Sequence, residues 1–166
     1  ELVQQGLVRS KLEKCESRGR PRQVFTAADP EAPYARICDE VLTHLKKLYG
    51  AEVVHSVLDA RNQRLIDRMG RFSGLELDEQ LNELASLLTS DGYQARVHKE
   101  DEVWWLEQHR CPRLAVSREH KEICQSEARA YSMLISLPMV QETRIADGES
   151  CCRYRIAKPG ASETED

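Results

Sequence analysis

Cys111, Cys124 and Cys152 are the residues of this chain whose type and spacing most directly suggest chemistry, with 12 residues between the first two and 27 between the last two. Cysteine thiolates ligate soft metals and iron–sulfur clusters, and they also act as redox centres. None of these residues pairs into the local Cys-x-x-Cys knuckle of common zinc sites, so any shared site has to be assembled by the fold. Cys151 stands beside Cys152. Successive side chains of a strand face opposite ways, so only one of the two reaches a given site. Spacing alone leaves open which one. Three thiolates also leave a fourth position unfilled. On a helix, His120 and Glu127 fall on roughly the face of Cys124, at i−4 and i+3. His109 lies two residues before Cys111. Any of these three, or an external thiol, would complete a site. The competing reading is structural, because free cysteine is often buried as a small hydrophobe. Cys15, in a polar loop, and Cys38, in a helix stripe, read as ordinary.

The chain has 166 residues, six of them cysteine, with a net charge of −4. It shows no export signal, and reducing cytosol does not sustain structural disulfides, so clustered cysteines favour metal or redox use in a cytoplasmic protein. No stretch approaches the roughly 20 apolar residues of a membrane span. The negative net charge argues against a general nucleic-acid binder, but the charge is unevenly spread. Residues 8–22 carry a local +4 that leaves −8 elsewhere. A basic arm on an acidic body suggests that one end alone meets an anionic partner. No phosphate-binding glycine loop, dinucleotide fingerprint, nucleophile elbow or His-Glu-x-x-His pattern is present, and an enzyme is not expected. The chain starts with Glu1 inside a structured-looking segment, so a preceding portion is expected to be missing.

The elements that must position the cysteines follow from periodicity. Residues 6–12 and 22–27 read as a hairpin with a long basic tip ending in Gly19-Arg20-Pro21. Asp29-Pro30 starts a helix whose apolar stripe is Tyr34, Ile37, Cys38, Val41, Leu42, Leu45 and Leu48. Gly50 ends it. Two more helices are expected over 52–69 and 77–90. The period then changes: strands at 93–99 and 102–107, a helix at 117–136, and a closing hairpin of 140–146 and 151–157 around Asp147-Gly148. This order places Cys111 after a strand, Cys124 in the first turns of a helix and Cys152 just past a tight turn. The fold class is α+β, with an N-terminal β-hairpin, a helical segment and a C-terminal antiparallel sheet packed with helices. Four regions follow: 1–28, 29–90, 91–158 and an acidic tail, 159–166, expected to be disordered.

The segments Glu107-Gln-His-Arg-Cys-Pro112, His120-Lys-Glu-Ile-Cys124-Gln-Ser-Glu127 and Asp147-Gly-Glu-Ser-Cys-Cys-Arg-Tyr-Arg-Ile156 resemble the C-terminal half of the SufR-like repressors of the Suf operon. These are iron–sulfur cluster-binding winged helix-turn-helix regulators of ArsR/DeoR type. Gly6-Leu-Val, Gly19-Arg-Pro21 and Phe25-Thr26 resemble the last turn, wing and strands of that family's DNA-binding half. The resemblance covers nearly the whole chain and selects Cys152 over Cys151. It makes 1–28 the remnant of a winged helix, 29–90 a dimerisation region and 91–158 a sensor domain. It implies a cytoplasmic homodimer that represses cluster-assembly genes, with a cluster, 4Fe–4S favoured over 2Fe–2S, on Cys111, Cys124 and Cys152. Some members have a fourth cysteine, whose position falls here at about Pro138, so the fourth ligand stays open among Glu127, His120 and His109. Arg18, Arg20 and Arg22 on the wing would contact operator DNA in the full-length protein, positioning it rather than reading its sequence. The rival readings are a zinc site or a thiol redox switch on the same regulator and, more remotely, a small-molecule-binding module or enzyme.

Overall fold

The structure is a computed structural model and describes residues 2–4, 8–13, 21–27, 32–69 and 74–156. Among these residues the fold is mixed α+β, with five helices and two antiparallel sheets of two and four strands. The chain divides into two compact units, Glu1–Ile37 and Cys38–Asp166.

In the first unit, β1 (Val8–Glu13) pairs antiparallel with β2 (Arg22–Ala27), in register from Val8↔Ala27 to Glu13↔Arg22. This is the expected hairpin. Arg22 is exposed at the start of β2. The tip with Cys15, Arg18 and Arg20, the cap position Asp29 and the tail 159–166 lie outside the described residues.

Helix α1 (Ala32–Tyr49) runs from the first unit into the second and ends at Gly50, whose φ of +86° only glycine adopts freely. Its apolar stripe forms as expected but is mostly uncovered. Leu42 is buried, whereas Tyr34, Ile37, Cys38, Val41 and Leu48 are exposed. Helix α2 (Ala51–Met69) buries Val54 and Leu58, and helix α3 (Leu77–Ser90) buries Leu81, Leu84 and Leu88. Leucines at i, i+3 and i+7 give α3 one apolar face, which covers the sheet.

Strands β3 (Ala95–Glu100), β4 (Val103–Gln108), β5 (Met139–Thr143) and β6 (Cys152–Ile156) form the second sheet in the order β3-β4-β6-β5, antiparallel throughout. The alternation of β6 is strict: Cys152, Tyr154 and Ile156 are buried, and Arg153 and Arg155 face the other way. The inner face meets Leu81, Leu84 and Leu88 of α3 and Tyr131 and Ile135 of helix α5 (Glu122–Ile135) in one core. On the outer face the Arg153 guanidinium lies 3.8 Å over the Trp105 ring.

Three boundaries differ from expectation, each because a backbone or side-chain group finds another partner. The first strand of the four-stranded sheet begins at Ala95 rather than residue 93, because Tyr93 still donates its N–H to Leu88 O and closes α3, and Gln94 has φ +51°. The helix expected over 117–136 is two helices, α4 (Leu114–Ser117) and α5, with a turn between them that brings His120 to Asp39 of α1. The strand expected to reach residue 146 stops at Thr143 and gives way to a 3-10 turn, Ile145–Asp147. The Ile145 N–H goes to Cys152 Sγ, 3.3 Å away, instead of to a strand partner.

Candidate metal centre

Each of the three cysteines stands where one element meets another. Cys111 follows β4 in a loop pinned to the end of α3 by Arg110 N–H to Tyr93 O (3.0 Å) and His109 N–H to Gln94 O (3.3 Å). The loop packs closely on α3's end: a Cβ added at Gly92 would stand 3.5 Å from Pro112 Cβ. Cys111 Sγ lies 3.7 Å from the hydroxyl of Ser117, a fully buried residue of α4. Cys124 is buried in the first turn of α5, and Cys152 is buried as the first residue of β6. Cys151, its neighbour, is only half-buried. Lys121 ties these elements together, donating from Nζ to Ala146 O (2.7 Å) and Asp147 Oδ1 (2.5 Å). The start of α5 is thereby held to the 3-10 turn that precedes Cys152.

The three sulfurs share one electrostatic neighbourhood. Burial pushes the Cys124 thiol up to about 12, and Glu127, Cys152 and Cys111 push it the same way. Burial likewise pushes Cys152 up to about 11; Cys111, Glu127 and Cys151 add to this, while the Ile145 N–H opposes it. Cys111 is also raised by burial, with Ser117 working against the rise. All three are therefore neutral thiols at pH 7 in the metal-free chain, and any bound metal must displace their protons. Among the described residues, no group of three or more His, Cys, Asp or Glu side chains stands close enough together to hold a metal ion. The cysteines are near enough to perturb one another's ionisation but do not close around a single ion.

The three candidates for a fourth ligand are placed differently. Glu127, one turn beyond Cys124, is buried and raises the pKa of all three thiols. Its Oε1 accepts from Arg113 Nη1 (2.6 Å) and from the Tyr93 hydroxyl (2.7 Å). Burial pushes its own carboxyl up against the pull of Arg113. His120 is buried with Nε2 3.0 Å from Asp39 Oδ1, and its Nδ1 has no hydrogen-bond partner. His109 is exposed, with Nε2 3.3 Å from Glu107 Oε2. Arg22, the one of Arg18, Arg20 and Arg22 among the described residues, belongs to the other unit.

Sequence reasoning missed the clamp of Arg113 and Tyr93 on Glu127 and the Lys121 tie. A signal was available for Arg113 and Lys121, which stand two residues after Cys111 and three before Cys124. Tyr93 left none, because only the end of α3 brings it across to α5. The sequence also left the link from the cysteine region to α1 to the fold. That link consists of Asp39 with His120 and of Lys46 with Glu122. Burial works against the Glu122 charge, but the Lys46 hydrogen bond and charge outweigh it, and the carboxyl lies below its ordinary value.

No family model matches the chain, and no curated protein matches it significantly.

Proposed function

We propose that the chain is the sensor and dimerisation part of a transcription regulator that holds an iron–sulfur cluster on Cys111, Cys124 and Cys152, with cluster occupancy setting operator affinity. The observation that carries this reading is that three cysteines distant in sequence come from three elements into one electrostatic neighbourhood, where Cys111 and Cys152 disfavour ionisation of Cys124, and Cys111 disfavours that of Cys152. Strongly perturbed groups gathered in one place are candidates for function. The donor set fits, because iron–sulfur clusters are held mostly by cysteine thiolates. A single zinc ion, with Zn–S bonds of about 2.3 Å, demands thiolates in near contact. No such compact group stands among the described residues; the zinc or redox-switch reading is second. When bound, a cluster supplies cross-links between elements and a centre sensitive to iron and oxidants.

The chain's own residues would relay its presence. Cys124 sits in the first turn of α5, four residues after His120 and two after Glu122, which hold α1 through Asp39 and Lys46. A shift at the start of α5 thus acts on α1, whose exposed stripe of Tyr34, Ile37, Val41 and Leu48 suits the homodimer. Glu127 is the best-placed protein group to complete the coordination, which would require it to leave Arg113 or share its oxygens with it. Arg22, with Arg18 and Arg20, serves operator DNA in the full-length regulator.

Anaerobic purification tests the reading. The protein should be brown, with iron and acid-labile sulfide in similar amounts. A colourless protein with one zinc per chain would establish the rival, and a colourless metal-free protein that cannot be reconstituted would leave the cysteines as core residues.

A further inference from the structure

A cavity of about 190 Å³ opens beside the cysteine region, lined from α2, α5 and the end of α3. This is about the volume that accommodates a benzene-sized molecule. Arg61, Arg64 and Asp91 are exposed at its rim, and Tyr93 and Glu127 are buried at its floor, with Arg113 beside them. Three guanidinium groups therefore face two carboxylates, and Glu127 is already shared between Arg113 and the Tyr93 hydroxyl. Among the described residues neither Arg61 nor Arg64 makes an ion pair. Arg61 donates only to the side-chain oxygen of its neighbour Asn62, at 3.0 Å. Burial and the nearby Arg113 disfavour its charge while Glu127, Tyr131 and Asp91 favour it, and arginine stays protonated in proteins. The lining thus carries one more cationic than anionic side chain, and two of the cations are already oriented, Arg61 by Asn62 and Arg113 by Glu127 and by stacking 5.1 Å over the Tyr93 ring. Planar guanidinium forks match carboxylate and phosphate oxygens in pairs, and a site fixed before binding loses less entropy on binding.

We infer that this cavity binds a small oxyanion ligand, a phosphate- or carboxylate-bearing metabolite, between Arg61, Arg64 and Arg113. The inference does not depend on the occupant of the cysteines. It does place a ligand beside them, because Arg113 and Glu127 belong to both the cavity and the thiol neighbourhood. The test is calorimetric titration of the full 166-residue chain with inorganic phosphate and, separately, with malonate, at constant ionic strength. Saturable binding of about one anion per chain is expected for at least one of the two, and which one binds identifies the oxyanion class. Arg61→Gln with Arg64→Gln should weaken it at least tenfold, and the paired Lys substitutions should retain most of it. Arg155→Gln, on the outer face of the sheet, should change nothing. No saturable heat with either anion, or equal affinity in the Arg61→Gln/Arg64→Gln protein, would overturn the inference.

Discussion

Cys124 and Cys152 are unusual residues for a buried core because their burial has a chemical consequence. A thiol held near 12 has a thiolate fraction of about 10⁻⁴ at pH 8, so it neither alkylates nor oxidises readily without a metal. Brief iodoacetamide treatment of the metal-free protein at pH 8 should label exposed Cys38 and leave Cys124 and Cys152 unmodified until the chain is unfolded. Rapid labelling of either in the native state would contradict their placement. The same shift sets a pH dependence. A thiol whose folded value lies above its unfolded value stabilises the fold below the unfolded value and loses that contribution as pH rises through the folded one. Metal-free protein should therefore weaken between about pH 9 and pH 12 as Cys152 and then Cys124 ionise, which urea titrations across that range would show. The sequence named the three thiols through their spacing and a motif resemblance. It could not rank Glu127, His120 and His109, because their partners, Arg113, Asp39 and Glu107, are chosen by tertiary geometry.

Period and punctuation made most of the elements legible. The alternation at 152–156 and the leucine spacing of α3 were unambiguous, and both elements formed where the pattern put them. Two of the misplaced boundaries share an origin. At Thr143 and between α4 and α5, backbone and side-chain groups bond to tertiary partners, Cys152 Sγ and Asp39, that no local pattern records. The α1 stripe carries a prediction at this scale. Its apolar residues recur at i, i+3 and i+7, yet only Leu42 of the stripe is buried within the chain. Ile37→Glu with Val41→Glu should convert a dimer to a monomer by sedimentation while changing the melting temperature of the monomer little, since exposed substitutions act within about 0.5 kcal/mol. A monomeric wild type, or a double variant that stays dimeric, would remove α1 from the interface.

At the scale of the molecule, charge and architecture divide the labour. The acidic body carries the sheet and the thiols, and the positive charge collects near the N-terminal hairpin. An antiparallel sheet covered by helices followed from element order, and that layer is what gathers a loop, a helix start and a strand start at one place. On the proposed reading, the N-terminal hairpin would meet DNA through its arginines, which contact phosphates rather than base edges. Binding to an operator fragment should therefore be weak, insensitive to sequence and lost as salt rises from about 50 to 200 mM. Tight sequence-specific binding at physiological salt would show that the hairpin reads bases. The central claim, that Cys111, Cys124 and Cys152 act as one ligand set, is tested most directly by iron and sulfide content after anaerobic purification of single serine variants. Cys111→Ser, Cys124→Ser and Cys152→Ser should each lose most of the iron while Cys151→Ser keeps it; full iron content in any of the first three, or loss in Cys151→Ser alone, would contradict the account.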